Sequence, residues 1–393
     1  MATPVFACGA ECGIAGPHWT LSGTASFQTS TIRSGARAGR VNPTAGFAGA
    51  SSVPSYGGEF VGRVYLRFAT LPGVDTAVVY GGGAANQPGV YFKLSDSSLY
   101  AGTTGGIGAS GVAITTGVWY RIDLRADVNQ NPHLIDVQVN GSACGQKSDA
   151  VAATNFGTIV VGNATSATMD MFWDDALASS TIADYPLGAG YILSYIPNAD
   201  GSHNVAGAND FERTLTGTDI TNATTTAYQL IDDRPLESAA GDFINGIAPP
   251  NSTDYVEWAY EDSVESVAPR SVEAVIGYHD ASGAGTNNFT VTLRDSAGGT
   301  TADIMPAATR NVGATMSWGR AHFTTIPGGT AWTLTAFNAL RSRFLVSDAS
   351  PDPYIDGAML EAEYAPNLGN LTNIQGDPFG QLGQRMMTQI LAT

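Results

Sequence analysis

Aspartates are the first residues in this sequence that invite a chemical reading. Asp170, Asp174 and Asp175 fall within Asp170-Met-Phe-Trp-Asp-Asp175, and glycoside hydrolysis needs a pair of carboxylates, one as acid and the other as base or nucleophile. The spacing argues against that use. In an extended strand Asp170 and Asp174 share a face about 13 Å apart, at ~3.3 Å per residue, which exceeds the separation of either hydrolytic class. Asp174 and Asp175, joined by Asn198, Asp200 and Asn204, are instead candidates for calcium, a hard cation that gathers oxygen ligands. Asn198-Ala-Asp200-Gly201 also reads as an ordinary Asx turn, so the turn is expected and no metal or cofactor is assigned.

Other motifs offer less. Cys8 and Cys12 have metal-like spacing with His18 close by, but a tetrahedral site needs four ligands and the remaining thiol, Cys144, lies in a distant hairpin. Small buried thiols, or one opportunistic disulfide, are expected. Gly106-Ile-Gly-Ala-Ser-Gly111 fits G-x-G-x-x-G, yet Val112-Ala-Ile-Thr follows it, a β-like run with no helix N-terminus to receive phosphate. Glu257, Glu261 and Glu265 look periodic but cross a strand and a loop, and a solvated edge is the expectation. His18, His133, His203, His279 and His322 form no spaced cluster, and no serine or cysteine nucleophile has a recognisable partner. Trp19, Trp119, Trp173, Trp258, Trp318 and Trp332 are expected mainly as core.

The elements that would position these residues are strands. In Glu59–Ala69, Phe60, Val64, Leu66 and Phe68 point one way and Arg63, Tyr65 and Arg67 the other, as a sheet with one wet face requires. In Val118–Arg125, Tyr120, Ile122 and Leu124 oppose Trp119, Arg121, Asp123 and Arg125. Leu134–Val139 alternates likewise and runs into Asn140-Gly141, the strongest short hairpin signal. Thr76–Tyr80, Val90–Leu94, Thr158–Val161 and Asp170–Asp174 complete the set. A Pro/Gly exit, Ala183–Gly190, and a short strand, Tyr191–Tyr195, follow. In the second half, Phe289–Leu293 and Trp332–Thr335 both alternate as half-buried strands.

Composition agrees. With 13% charged residues and 47 glycines in 393, the chain has the profile of a turn-rich all-β protein, and its length suits two domains. A net charge of −17 works against nucleic acid and anionic membrane, whose phosphates are bound through Lys and Arg. No run of 18 apolar residues predicts a spanning helix. Met1–Cys8 lacks a basic start and an apolar stretch, so no secretory leader is expected.

The halves repeat one grammar. Trp119 and Trp318 stand at the same offset as Leu94 and Leu293, Ala77–Tyr80 is similar to Ala274–Tyr278, and Phe172–Ala176 to Tyr354–Ala358. The predicted domains are residues 1–195 and 205–365, joined by a linker at 196–204. A tail follows at 366–393, in which Phe379, Leu382, Met386 and Ile390 predict a short amphipathic helix.

The order of parts carries a resemblance. A strand opening on Trp-Tyr, an Asn-Gly hairpin, a strand ending in Gly-Asn and a closing aromatic-Asp-Asp strand resemble the laminin-G, or concanavalin A-like, jelly roll. Two tandem sandwiches are therefore expected. Hydrolases of that fold carry a clustered Glu-x-Asp-x-x-Glu strand, and neither half has one. Ala183-Asp-Tyr-Pro-Leu-Gly-Ala-Gly190, Pro197-Asn-Ala-Asp-Gly-Ser-His-Asn204, Asn209-Asp-Phe-Glu212, Asp232-Asp-Arg-Pro-Leu236 and Met359-Leu-Glu-Ala-Glu-Tyr364 are similar to tailed-bacteriophage virion proteins built from tandem jelly rolls, as is Cys8-Gly-Ala-Glu-Cys-Gly13 with Ser34-Gly-Ala-Arg37. That resemblance implies a non-enzymatic structural component of the virion, decorating the head or associated with the tail. Its partners would be capsid or tail proteins and a host surface glycan, and it would form a homo-oligomer such as a trimer. The alternative is a carbohydrate-binding, lectin-like adhesin, with a glycoside hydrolase behind it.

Overall fold

The structure, a computed structural model, describes residues 4–44, 48–52, 57–82, 87–127, 129–130, 132–149, 158–205, 211–213, 218–233, 236, 242–246, 254–280, 289–295, 301–304, 316–346 and 353–366. The tail predicted as a helix lies outside these residues from 367 onward. The chain divides into two compact units. The first holds 1–10 and 18–192 with 365–393, and the second holds 11–17 and 193–364.

The principal strands of the first unit are Trp19–Ser22 (β1), Ala25–Gln28 (β2), Ala38–Val41 (β3), Gly49–Ser52 (β4), Glu59–Thr70 (β5), Thr76–Gly82 (β6), Gly89–Lys93 (β7), Ser98–Thr103 (β8), Trp119–Asp127 (β9), His133–Val139 (β10), Thr158–Gly162 (β11) and Asp170–Ser179 (β12). They form two antiparallel sheets, in the orders β10-β9-β5-β12-β3-β2 and β8-β7-β6-β11-β4-β1. The alternation in β5 and β9 sends Phe60, Val64, Leu66, Phe68, Tyr120, Ile122 and Leu124 into one buried cluster with Val79, Phe92, Leu99 and Val161 of the other sheet. Trp19 and Trp173 meet edge to face in that cluster, at 6.0 Å between ring centroids. Gly39 makes room for the second indole, since a Cβ there would lie 2.0 Å from Trp173 ring atoms. After β10, Asn140 and Gly141 take φ of 51° and 83°, the two positive angles of a type I′ turn.

The second unit is built from Pro197–Asp200 (β13), Phe211–Arg213 (β14), Ile244–Gly246 (β15), Tyr255–Tyr260 (β16), Ser271–Asp280 (β17), Phe289–Arg294 (β18), Thr301–Asp303 (β19), Ser317–Phe323 (β20), Arg341–Val346 (β21) and Pro353–Tyr364 (β22). Its sheets run β14-β15-β22-β17-β20 and β13-β16-β21-β18-β19, again antiparallel. Phe211, Phe289 and Phe344 stack edge to face at 5.6 and 5.8 Å in its interior. The strand order repeats that of the first unit: β20-β17-β22-β15-β14 follows β9-β5-β12-β3-β2, and β19-β18-β21-β16-β13 follows β7-β6-β11-β4-β1. Trp119 and Trp318 accordingly lie on corresponding strands, β9 and β20, as do Phe172–Ala176 and Tyr354–Ala358 on β12 and β22. Ala77–Tyr80 and Ala274–Tyr278 do not, because β6 corresponds to β18 and β17 to β5.

Two local expectations fail for physical reasons. Trp332–Thr335 is not a strand but the entry to a short helix, Leu334–Asn338 (α1), where Thr333 Oγ1 caps the helix by accepting from Ala336 N at 3.1 Å. A four-residue alternation of Trp, Leu and Thr cannot distinguish a strand from a capped helix start. Residues 196–204, read as a linker, contain β13, which pairs along β16.

Candidate functional site

In the first unit, cross-strand register assembles a polar array on the outer face of β5, β9 and β12. Arg63 lies opposite Asp123, Tyr65 opposite Arg121 and Arg67 opposite Trp119. Phe172 lies between Arg40 and Arg67, whose guanidinium carbons sit 5.4 and 5.9 Å from its ring centroid. Arg40 also grips Asp170 through Nε and Nη2, each at 2.9 Å, a bidentate pair on a partly open surface. Trp119 is buried here, with Ala38, Tyr65 and Phe172, on the outer face and away from the sandwich core.

A bulge in β12 sets the two neighbouring aspartates. The register shifts between Asp174 and Leu177, and Asp175 takes φ of 50°. Asp174 Oδ2 accepts from Arg33 N at 2.9 Å and Ser34 N at 3.3 Å. Asp175 pairs with the Arg33 guanidinium and accepts from Ser34 Oγ and Ile192 N, each at 2.6 Å. Burial acts to lower the Arg33 pKa, but Tyr65, Asp175 and Asp174 outweigh it and the pKa is raised. The exit segment 185–192 then crosses the array. Asp123 Oδ1 accepts from Gly188 N at 3.1 Å, Arg63 donates to Gly188 O at 3.4 Å, and Tyr65 Oη accepts from Gly190 N at 3.3 Å. Much of this face is thus roofed by the unit's own chain, while Arg40 and Arg67 remain partly open.

In the second unit Asn198 is exposed, and Asp200 accepts from Ala227 N at 2.9 Å and Tyr228 N at 2.7 Å, capping a 3₁₀ turn. Asn204 exchanges backbone bonds with Tyr255. The five calcium candidates therefore divide between the units, Asp174 and Asp175 in the first and Asn198, Asp200 and Asn204 in the second.

Glu257 was expected on a solvated edge and is instead fully buried. Its Oε2 accepts from Arg294 Nη1 at 2.6 Å and from Arg343 Nη2 at 3.0 Å, Arg341 Nη1 lies 3.6 Å from Oε1, and Ser202 N donates to Oε1 at 3.3 Å. Strand pairing makes this cluster, since β21 lies between β16 and β18, with Arg343 opposite Glu257 and Arg341 opposite Arg294. Arg343 also stacks on Tyr255, 3.3 Å from the ring centroid. None of the three arginines was singled out from the sequence. The available signal was Arg341-Ser-Arg343-Phe, alternating charge in a chain with only 18 Lys and Arg.

Two histidines that formed no cluster in sequence each meet a buried carboxylate: His279 Nδ1 lies 2.6 Å from Asp356 Oδ2, and His322 Nδ1 lies 2.7 Å from Glu273 Oε2. Burial raises the Asp356 pKa, against His279, which lowers it. Gly106 and Ile107 pair with Thr103 and Gly102, so the glycine motif closes a hairpin. Cys8, Cys12 and Cys144 are buried, and none of them forms a disulfide. Cys8 Sγ accepts from Trp19 Nε1 at 3.3 Å, and burial pushes the Cys144 pKa up to about 11. Iodoacetamide at pH 8 is expected to leave all three unmodified in the native protein and to label all three in urea, because the thiolate is the reactive form. Labelling of Cys144 in the native state, read by mass spectrometry, would refute this assignment.

No protein-family model matches the chain, and no curated protein matches it. Solved structures do. Cip1, a cellulose-induced protein, is 19% identical over 45% of this chain and 97% of its own, with a TM-score of 0.35. A Trypanosoma rangeli sialidase is 13% identical over 44% of this chain and 30% of its own, with a TM-score of 0.31. The CBM22-1-CBM22-2 tandem domain of Paenibacillus barcinonensis Xyn10C is 12% identical over 92% of this chain and 98% of its own, with a TM-score of 0.26. Such likenesses concern the fold and transfer no residue's role. None of these structures is a virion protein, and they lend no support to a head or tail component. The expectation of a chain without enzymatic activity is corrected: sialidases, and the alginate lyase Aly36B, stand beside the CBM22 tandem among the similar structures. The chain is an all-β protein built of antiparallel sandwich sheets of the jelly-roll kind.

Proposed function

We propose that this chain is a lectin-like carbohydrate-binding protein whose sheet faces recognise glycans by hydrogen bonding. The observation that carries this reading is the arginine cluster at Glu257, a partly open set of planar donors held in place by one buried acceptor. Guanidinium groups fixed by packing present paired N–H donors to the oxygens of a sugar at little entropic cost. Trp19, Trp119, Trp173, Trp258 and Trp332 are buried, so polar contacts rather than ring stacking would supply the recognition. A host surface glycan is the proposed partner, and a homo-oligomer such as a trimer would multiply weak sites by raising effective concentration.

A glycan array probed with the full chain, with and without EDTA, tests this. Specific binding that persists in EDTA is expected, and its loss in EDTA would overturn the arginine cluster as the carrier of recognition. Absence of binding to every glycan by folded protein would refute the reading. Glycans that bind should also be assayed for cleavage products, which decides whether recognition is coupled to chemistry. The resemblance of its sequence motifs to those of tailed-phage virion proteins is what supports a second proposal, display of this binding surface on a particle beside capsid or tail proteins. Mass spectrometry of purified particles checks it by copy number.

A further inference from the structure

We infer that the outer face of β16, β21 and β18 is a subsite for the carboxylate of an acidic sugar, with Arg341 and Arg343 as its open donors and Arg294 as its floor. This deepens the glycan-binding reading and rests on it.

The argument starts from a mismatch of charge and donors. Three guanidinium groups, each with five N–H donors, converge on a single carboxylate. Glu257 uses both oxygens on them and on Ser202 N, and cannot satisfy the rest. The Arg294 side chain is only 6% exposed, and its Nε is buried with no acceptor among the described residues. A buried donor without an acceptor is costly, so its retention is informative. Arg341 and Arg294 are also directly opposed across β21 and β18, a like-charge pair whose repulsion falls on Glu257, which must offset Arg343 as well. The next acidic group in register, Asp303 opposite Thr292, is exposed at the edge strand.

Geometry selects the ligand. Arg341 and Arg343 keep 30% and 18% of their side-chain surface open, so an anion reaches them from solvent. Tyr255 holds the Arg343 plane from beneath. A fixed guanidinium fork matches the two oxygens of a carboxylate. The chain as a whole carries −17, which repels a dense polyanion such as a nucleic acid at long range. An oligosaccharide with one carboxylate per residue matches this local charge without that penalty.

Titration calorimetry on the full chain tests the inference with trigalacturonate, its carboxyl-reduced neutral counterpart and sodium sulfate. Trigalacturonate is expected to bind at least tenfold more tightly than the neutral sugar, and Arg341→Gln to weaken it at least tenfold with the melting temperature unchanged. Arg341→Lys keeps the charge beside Glu257 but loses the fork. It should also bind several-fold more weakly, which covers the case in which the glutamine variant fails to fold. Equal binding of the acidic and neutral sugars would overturn the carboxylate subsite and leave the glycan reading standing. Wild-type affinity in both variants would overturn the site's location, and sulfate competing as well as trigalacturonate would overturn its selectivity for sugar. Failure of both sugars here and of every glycan on the array would remove the broader reading with it.

Discussion

Glu257→Ala is expected to destabilise the second unit by about 3–5 kcal/mol, the range for removing one partner of a buried ion pair. Three arginines would lose their counter-charge, and Arg294, at 6% exposure, cannot turn to water. Arg341, the most open of the three, can relax outward and limits the loss. Two-unit chains need not unfold in one step, so the readout is hydrogen exchange of β16, β18 and β21 set against that of β5 and β12. Protection should fall in the first group and hold in the second. A change below about 1 kcal/mol would mean that the arginines are balanced by solvent ions, and the cluster would then be a loose surface network.

Trp173→Ala is the second large effect, about 3–5 kcal/mol against the first unit. The indole fills the space between Trp19, Phe27 and Gly39, so truncation leaves a cavity that rigid strands on both sides cannot close. Gly39→Leu alone should be comparably damaging, because its side chain would be built into that ring. Together the two changes exchange volume across one contact, and the double variant is expected to recover part of the loss. Hydrogen exchange of β3 and β12 in the four proteins gives the coupling. Simple additivity would show that Gly39 and Trp173 do not share the space the structure assigns them.

The sequence was most legible where a signal is local. The alternation of Phe60, Val64, Leu66 and Phe68 against Arg63, Tyr65 and Arg67 depends only on the two-residue period of a strand, and Asn140-Gly141 only on φ at two positions. The Glu257 cluster was not legible, because Arg294, Arg341 and Arg343 come from two strands placed beside Glu257 by sheet order, and a lone glutamate on a strand looks solvated. Asp174 and Asp175 stood out as oxygen donors, yet what they hold is mostly backbone: the amides of Arg33, Ser34 and Ile192. Every residue but proline offers such an amide, so no residue type in the sequence marks the partner. For the same reason Pro197–Asp200 read as a turn, although its hydrogen bonds run to β16.

The path of residues 185–192 also fixes where the first unit can be cut free. A fragment ending at Ser179, the close of β12, would keep every sheet strand of that unit. It would nevertheless strip Asp123, Tyr65 and Asp175 of the amides of Gly188, Gly190 and Ile192. The excision point is therefore Ile192, where that segment of the first unit ends, and not Ser179, where β12 ends.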